Sequence, residues 1–223
     1  MEESLLMQSA LFRGISLEEA AAVLQCLQAV ERSYPKGALI CRQGEPVQAA
    51  GLLLSGEVHI VQDDLWGKES ILSRVGPGEL FSEAYAAVPG TVSLVNAIAA
   101  RESRVLLLSV ARAMQPCAHA CPFHGQLVRN FLACMAEKSL RLAQKITHTL
   151  PKTIRGRVLS YLSAEAIRQG GRSFTIPFSR QQLADYLCVE RSALSAELSK
   201  MRQDGLIDFH KSAFSLKVQH MEY

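Results

Sequence analysis

A stretch in the middle of the chain repeats its apolar positions at alternating spacings of four and three residues. The repeat is carried by Val128, Leu132, Met135, Ser139, Leu142, Ile146 and Thr149. This period predicts a long helix with a coiled-coil seam, which Ser139 and Thr149 interrupt with polar groups. Leu150-Pro151 ends the helix, because proline lacks the amide donor and disfavours helical backbone in the residue before it. We therefore expect one domain on each side of a long helix.

The predicted helix has a second apolar row beside the seam, formed by Leu127, Phe131 and Cys134. One apolar row would suffice for an amphipathic helix that only packs on its own domain, which is the alternative interpretation. Two rows allow the helix to pack on its own domain and also to pair with a second copy. The sequence therefore favours a homodimer helix.

The segment before this helix changes from helical to strand-like patterning. Residues 1–28 are helical in pattern, and Ser16 before an acidic pair and an apolar run is a typical N-cap. Residues 29–110 hold short apolar segments, separated by glycine and polar turns at intervals of about 8–12 residues. This spacing predicts a β-sandwich or β-roll.

The segment after Pro151 has the pattern of a winged helix-turn-helix. A first helix over residues 152–169 is expected to bury Ile154, Val158, Leu159, Tyr161, Leu162 and Ile167. Ser179 and Gln182 form a capping-box pattern at the start of a short helix. A three-residue turn, a second helix up to Gly205 and a small hairpin follow, which is the order of a winged helix-turn-helix.

Charge and side-chain size indicate DNA as the partner of this last segment. Residues 151–223 hold 11 basic against 7 acidic residues, whereas residues 1–150 hold 13 against 14. An excess of positive charge in one domain favours a polyanion. The outward face of the second helix carries Arg191, Ser192, Ser195, Ser199 and Lys200. Short serines permit close approach to base edges, whereas the alternative, a merely solvated helical hairpin, would carry more Glu and Lys.

Several motifs of the chain resemble the Crp/Fnr transcription regulators. Those similar to that family's cyclic-nucleotide-binding roll are Gly37, Gly44, residues 54–58 (Leu-Ser-Gly-Glu-Val) and residues 77–81 (Pro-Gly-Glu-Leu-Phe). The long helix, residues 180–187 and residues 191–194 then follow in the family's order. The resemblance covers nearly the whole chain, and its motifs are specific in combination.

The resemblance implies an α+β fold and a homodimeric regulator. It implies a β-roll effector-sensing domain at residues 1–124, a dimerisation helix at 125–150 and a winged helix-turn-helix at 151–223. The dimer would read a palindromic DNA site through successive major grooves about 34 Å apart, with RNA polymerase as a further partner. A small-molecule effector would shift the long helix and turn the DNA-binding domains about a hinge near Leu150-Pro151.

The resemblance also implies which residues meet DNA. The first arginine of the family's recognition helix falls on Arg191, whereas its second arginine is Ala196 here, so we expect a different half-site. Cys188 replaces the usual turn glycine. The predicted DNA-contacting residues are Arg191, Ser192 and Ser195, with Arg180, Gln181 and Lys200 as candidates for phosphate contacts.

The effector pocket departs from the cyclic-AMP-binding members of the family. Those members carry a Gly-Glu pair and, further on, an Arg-Ser pair that holds the cyclic phosphate. Their counterparts here are Ser82-Glu83 and Ser93-Leu94, and the residue that would reach the adenine from the long helix is about Leu142. No lysine or arginine lies between Arg74 and Arg101. A buried, unpaired phosphate would cost several kcal/mol, so cyclic AMP is not the expected effector.

The candidate effector-binding residues are accordingly Ser82, Glu83, Ser93, Leu94 and Leu142. Two interpretations of Glu83 stay open, a remnant of the pocket or a carboxylate at a helix start. The sequence assigns no cofactor.

Thiols and imidazoles cluster just before the long helix, at Cys117, His119, Cys121 and His124. Such groups are soft metal ligands, but the C-x3-C spacing departs from the usual C-x2-C and Pro122 interrupts it. No metal site is therefore assigned. A regulator that responds to redox, metal or haem through Cys117 and Cys121 is an alternative, and so is a ligand-binding regulatory protein that acts through protein contacts.

Other features exclude further classes. No apolar run approaches the ~18 residues of a membrane span, and the start, Met1-Glu2-Glu3, is acidic where a signal peptide is basic. We expect a cytoplasmic protein with its six scattered cysteines as free thiols. No nucleophile elbow, phosphate loop or HExxH motif is present, so an enzyme is not expected.

Overall fold

The computed structural model describes residues 3–64, 69–115 and 122–217. The chain divides into two compact units, Met1–Ala136 and Glu137–Tyr223. Among the described residues, no helix has the length and apolar character needed to cross a bilayer.

The first unit begins with short helices. Helix α1 spans Glu3–Gln8, a 3-10 turn spans Ala10–Phe12 and α2 spans Leu17–Cys26. Ser16 caps α2 in a capping box: its hydroxyl accepts from the Glu19 amide at 3.3 Å, and the Ser16 amide donates to the Glu19 carboxylate at 2.8 Å. The predicted N-cap is confirmed, since both partners satisfy amides that the helix itself leaves unpaired.

Two antiparallel four-stranded sheets follow in the described part of this unit. Their strands are β1 Val30–Tyr34, β2 Leu39–Cys41, β3 Ala50–Ser55, β4 Val58–Asp63, β5 Glu69–Val75, β6 Leu80–Phe81, β7 Asn96–Ala99 and β8 Ser103–Leu108. The orders are β1-β8-β3-β6 and β2-β7-β4-β5. Short helices α3 (Glu83–Ala87) and α4 (Val110–Ala113) follow β6 and β8. The predicted β-roll is confirmed.

Both faces of the first sheet are buried, which explains the continuous apolar runs of β3 and β8. One face packs against the second sheet, through Leu53, Val58, Val75, Phe81, Ala97 and Val105. The other face packs against the helices, through residues that include Leu52, Leu54, Leu106, Leu108, Phe12 and Val23. Because successive side chains of a strand point to opposite faces, neighbouring leucines serve different cores.

Helix α5 spans Pro122–Thr149 and passes from the first unit into the second. Leu127 and Phe131 are buried in the core of the first unit, as the second apolar row predicted. The Asn130 amide also donates to the carbonyl oxygens of Leu11 at 2.9 Å and Arg13 at 2.8 Å. The seam side chains Leu132, Leu142 and Ile146, in contrast, are 66%, 65% and 58% exposed in the single chain.

The second unit is a winged helix-turn-helix, as predicted. Its further elements are α6 Ile154–Gln169, β9 Ser173–Thr175, α7 Arg180–Leu187, α8 Arg191–Gln203, β10 Ile207–His210 and β11 Ala213–Leu216. The strands form a sheet of order β10-β11-β9. The capping box of Ser179 and Gln182 is present at the start of α7. The predicted hairpin thus gains a third strand, β9.

Ile167 does not join the core of this unit, and the prediction that it faces inward was wrong. Its side chain is 83% exposed, whereas Val158, Tyr161 and Leu162 define the buried face of α6. At 3.6 residues per turn, Ile167 lies about 140° around the helix from Leu162. Ala166 instead packs against the core at that level.

Gly44 and Gly56 of the roll differ in how closely other chain segments approach their Cα atoms. Gly44 and Gly56 have positive φ angles of 86° and 96°. A Cβ at Gly44 would meet nothing within 4 Å, whereas a Cβ at Gly56 would overlap with the backbone and hydroxyl of Ser103 and the carbonyl oxygen of Glu102. We expect Gly44→Ala to lower the free energy of unfolding by about 1–2 kcal/mol, and Gly56→Ala to lower it clearly further. Urea unfolding followed by circular dichroism measures both, and equal losses would contradict this account.

Candidate nucleic-acid interface and effector pocket

The turn between α7 and α8 forms as predicted, with Cys188 in the left-handed conformation at φ 54°. This is the conformation for which glycine is usual, since it has no Cβ to strain. The amide of the next residue, Val189, donates to the Ala184 carbonyl at 3.0 Å. Ala184 is fully buried and belongs to the core that α7 and α8 share. The cysteine therefore completes the turn without altering the motif.

The two faces of α8 divide as the sequence predicts. Leu194, Leu198 and Met201 are fully buried. The opposite face carries the exposed residues Arg191, Ser192, Ser199 and Lys200, with Ser195 half-buried. The hydroxyl of Ser195 donates to the Arg191 carbonyl at 2.9 Å, and that of Ser199 to the Ser195 carbonyl at 3.0 Å. The serines thus lie close to their own helix and leave the approach to it open.

The buried side of α8 is fixed by an arginine of α6. Arg155 Nε donates to Glu197 at 2.6 Å and its Nη2 lies 2.7 Å from the Asp204 carboxylate, just after α8. The hydrogen bonds to Glu197 and then to Asp204 raise the pKa of Arg155. One carboxylate on α8 and one just after its end therefore tie the helix to one guanidinium.

A second arginine of α6 joins the segment after α5 to the helix-turn-helix. Arg157 Nε donates to the Pro151 carbonyl at 2.9 Å. Its Nη1 donates to the carbonyls of Leu187 and Cys188, both at 3.0 Å. These last carbonyls of α7 have no amide partner within the helix, so the guanidinium satisfies them at the negative end of the helix dipole.

The last turn of α5 is anchored in an aromatic cluster, formed by His148, Tyr161, Phe178 and Tyr186. His148 is buried, and its Nδ1 shares a hydrogen bond of 2.9 Å with the Tyr186 hydroxyl. Its ring stands edge-on to Tyr161 at 5.5 Å between centroids. Burial lowers the pKa of His148 below its ordinary value of 6.5, and the charge of Glu165 partly opposes this shift. Burial also raises the pKa of Tyr161 and Tyr186.

Arg180, at the start of α7, packs on the wing. Its guanidinium lies 5.0 Å from the ring centroid of Phe209 and 5.8 Å from that of Phe214. Arg202 lies over the same Phe209 ring at 3.9 Å. Burial, and then the charge of Arg202, lower the pKa of Arg180, which as an arginine stays protonated. Stacking thus positions this cation at the joint between α7 and the wing.

Between the start of α7 and the wing tip lies a groove of about 420 Å³. Arg180, Ser179, Lys211 and Ser212 line it together with apolar residues. Lys211 is exposed at the tip of the hairpin. Sequence reasoning did not single out Lys211, although a basic residue in the turn between two predicted strands is a signal that could have found it. Cations and hydroxyls around one groove are suited to a phosphate.

A cavity of about 170 Å³ lies inside the β-roll. Its lining is Ile40, Cys41, Arg42, Glu45, Pro46, Val47, Gln48, Ala49, Gly51, Phe81, Ser82 and Leu107. Most of these side chains are apolar, and no carboxylate or cation points out of a buried position among them. The cavity therefore has its buried floor at Gly51 and Phe81 and opens to solvent beside the loop between β2 and β3.

Comparison with known proteins identifies the family to which this chain belongs. Residues 31–118 match the cyclic nucleotide-binding domain, and residues 156–222 match the Crp-like helix-turn-helix domain. The cyclic AMP receptor protein of Thermus thermophilus is 31% identical over 201 residues, which cover 89% of this chain and 88% of that protein. The chain belongs to the Crp/Fnr family. It is thus a DNA-binding transcription regulator and not an enzyme.

Other members of the family support the fold. The CRP-like cAMP-activated global transcriptional regulator of Mycobacterium tuberculosis is 22% identical over 206 residues, covering 92% of this chain and 91% of that protein. The structure of CprK complexed with OCPA has a TM-score of 0.60 at 16% identity, covering 87% and 90% of the two chains. The c-di-GMP responsive regulator CLP of Xanthomonas campestris has a TM-score of 0.54 at 19% identity, covering 90% and 100%. At these identities the structures establish the fold alone.

The predicted effector residues of this Crp/Fnr regulator do not all line the cavity. Ser82 lines it, whereas Glu83, Ser93 and Leu94 are not among its lining residues. Ser93 is buried, and its hydroxyl donates to the Val95 carbonyl at 2.6 Å. Glu83 is buried in the first turn of α3, and Leu94 is exposed. Leu142 is an exposed residue of the second unit.

Of the metal-ligand candidates, Cys117, His119 and Cys121 lie outside the described residues. His124 is buried, and its Nε2 donates to the Ala113 carbonyl at 2.8 Å. Its Nδ1 is buried without a hydrogen-bond partner. Within residues 3–64, 69–115 and 122–217, no group of three or more His, Cys, Asp or Glu could hold a metal ion.

Acid should weaken the anchoring of α5 in the aromatic cluster. The lowered pKa of His148 means that the unfolded chain binds its proton more readily, so its stabilising contribution is present above about pH 6.5 and is lost as the pH falls. We expect His148→Asn, whose amide can still bond to Tyr186 but does not titrate, to flatten this fall. Urea midpoints between about pH 8 and about pH 5.5 measure it, and parallel pH profiles of the two proteins would refute this role for His148.

Proposed function

We propose that this chain is a cytoplasmic transcription regulator that reads a palindromic DNA site as a homodimer and acts through contact with RNA polymerase. Residues 1–124 sense a small-molecule effector, residues 125–150 form the dimer helix and residues 151–223 bind DNA. The observation that carries the proposal is α8, which is braced from its buried side and presents Arg191 and Lys200 outward without an ion pair to any described residue.

The contacts with DNA divide into base reading and phosphate binding. Arg191, Ser192 and Ser195 lie on the N-terminal half of α8, the part of a recognition helix that meets base edges. Arg180, Gln181 and Lys200 bind phosphates, and Lys211 adds a further cation at the wing tip. Gln181 donates to Asp185 at 2.8 Å within α7, so its amide is held in place before DNA arrives.

The dimer forms through the seam of α5. Leu132, Leu142 and Ile146 leave an apolar stripe uncovered in the single chain. A second copy of the same helix would cover this stripe in the manner of a coiled coil, because each seam residue meets its own counterpart. The other row of α5 is already occupied by the first unit's core.

The effector acts by shifting this helix, and the flexible point lies before His148 rather than at Leu150-Pro151. His148 bonds to Tyr186, and Arg157 bonds to the carbonyl of Pro151. The end of α5 and the segment after it are therefore bonded to the helix-turn-helix. A ligand shifts such an equilibrium only by binding the two states with different affinity.

The effector is not cyclic AMP, although relatives named for cyclic AMP share the fold. Residues 75–100 hold no lysine or arginine, and the Ser93 hydroxyl already donates to the Val95 carbonyl within its own loop. A cyclic phosphate would find no cation there. A metal- or redox-responsive regulator is the second candidate, because the free Nδ1 of His124 could serve as a ligand if Cys117 and Cys121 supplied thiolates.

Replacing Arg191 tests the DNA interface. A site is first selected from random duplex DNA with the wild-type protein. We expect Arg191→Ala to raise the Kd for that site about 30-fold or more, because the dimer loses one bidentate arginine–guanine contact of ~1–3 kcal/mol in each half-site, and to relax specificity at one base pair per half-site. Fluorescence anisotropy measures the affinity. Arg168→Ala is the matched control, since Arg168 is exposed on α6 and paired with Glu165. Similar affinities of the two variants would refute the interface and favour a regulator that acts through protein contacts.

Charge on the seam tests the dimer. We expect Ile146→Glu to convert the dimer to a monomer, because pairing would bury two unpaired carboxylates face to face. Leu140→Glu is the control: Leu140 is also on α5 and 64% exposed, but it lies outside the seam. Sedimentation equilibrium measures the mass of both. A dimer of Ile146→Glu, or a monomer of Leu140→Glu, would contradict the seam.

A further inference from the structure

The floor of the cavity in the β-roll is a row of three residues that pair side by side across the first sheet. Gly51 of β3 pairs with Phe81 of β6 on one side and Leu107 of β8 on the other. A Cβ at Gly51 would overlap with the Phe81 ring, so the ring lies directly on the glycine backbone. The floor is therefore flat, apolar and partly aromatic, as suits the face of another ring.

The size of the cavity restricts what it can hold. Its volume of about 170 Å³ is well below the ~300–1,000 Å³ of ordinary small-molecule sites. A cavity of ~150 Å³ lined by apolar side chains holds one benzene molecule. The pocket of this chain is therefore matched to a single ring with a small substituent, and not to a nucleoside phosphate.

The charged residues of the lining also restrict the ligand, since they lie at the rim of the cavity. Arg42 and Glu45 are its charged residues, and they pair with each other at 3.4 Å with about two thirds of each side chain exposed. Their charges lie at the rim, in water. The interior walls, such as Ile40, Val47 and Ala49, are apolar. Because Arg42 and Glu45 pair with each other at the rim, a charged ligand group against the apolar walls would have no free partner, so the ligand is neutral.

Besides the exposed amide of Gln48 and the thiol of Cys41, the lining offers the hydroxyl of Ser82 to orient such a ligand. Ser82 lines the cavity and holds a left-handed backbone at φ 58°, ψ 7°, which strains a residue with a Cβ. It stands at the N-cap position of α3, yet its hydroxyl makes no capping bond. Other N-cap serines of this chain, Ser16 and Ser179, do cap their helices. The hydroxyl of Ser82 is thus available to a ligand.

From this geometry we propose that the β-roll binds a neutral molecule built on one aromatic ring, with a hydroxyl or carbonyl substituent that hydrogen-bonds to Ser82. The proposal rests on the proposed function and names the chemical class of its effector. The ring lies on the floor of Gly51, Phe81 and Leu107. Cyclic nucleotides are excluded from the same space by their size and their phosphate.

Two fluorinated probes of equal size test the proposal with the full-length protein. We expect both 4-fluorophenol and fluorobenzene to give saturable fluorine NMR shifts, with 4-fluorophenol bound about 3- to 10-fold more tightly through one neutral hydrogen bond. In Ser82→Ala the two affinities become equal. Ser73→Ala, which removes an exposed serine of β5 outside the lining, keeps the difference. Ala49→Leu fills the cavity and abolishes binding of both probes.

Three results would overturn the proposal. One is the lack of a saturable shift with either probe while circular dichroism shows a folded protein. Another is unchanged probe binding in Ala49→Leu, which would place the probes elsewhere. The third is displacement of the probes by cyclic AMP. Affinity for the selected DNA site is measured on the same samples without probe, so failure of the ligand class is distinguished from failure of the DNA-binding function.

Discussion

The arrangement of the DNA-binding unit depends on the guanidinium of Arg157. It donates to carbonyls from two segments, Pro151 after α5 and Leu187 and Cys188 at the end of α7. Hydrogen bonds from a charged donor contribute about 1.5–3 kcal/mol each, roughly twice a neutral one. Because the carbonyls at a helix end have no amide of their own, a replacement without donors would leave them unsatisfied at a half-buried joint. Arg157 thus connects the turn between α7 and α8 with the segment that follows the long helix.

Arg155 and His148 extend the same construction to the other elements. Arg155 bridges Glu197 on α8 and Asp204 just after it. His148 bonds the last turn of α5 to Tyr186 of α7. The side chains of Arg157, Arg155 and His148 therefore connect the end of α5 with α6, α7 and α8. On the proposed function, an effector in the roll would move these bonded elements together. The part of α5 proposed to shift lies before His148, where the seam side chains stay uncovered in the single chain.

The sequence could predict what depends on local chemistry. The N-cap at Ser16, the capping box at Ser179 and the core-facing row of α5 are set by residues within a few positions of one another, and the structure confirms them. The two-residue strand β6 and the wing strand β9 depend on partners far along the chain, and no periodicity marks them. The stacking of Arg180 on Phe209 and the three-carbonyl role of Arg157 are equally nonlocal. Apolarity alone predicts Ile167 inside, but its angular position on α6 leaves the side chain in solvent.

The residues that determine which ligand the roll binds differ from those that determine its fold. The inner core of the roll, with Leu53, Val58 and Val105, must be filled to close packing. This requirement is the same whichever ligand the roll binds. Specificity depends instead on a few polar groups, and a phosphate needs a cation that pairs with it inside the protein. In this chain Ser82, which the resemblance aligns with the family's pocket glycine, lines a cavity of about 170 Å³, while the cation of the lining, Arg42, lies exposed at the rim. On the proposed function, this chain keeps the nucleotide-binding-domain fold and the DNA-binding unit of its family, while the lining of its roll is suited to a different chemical class of effector.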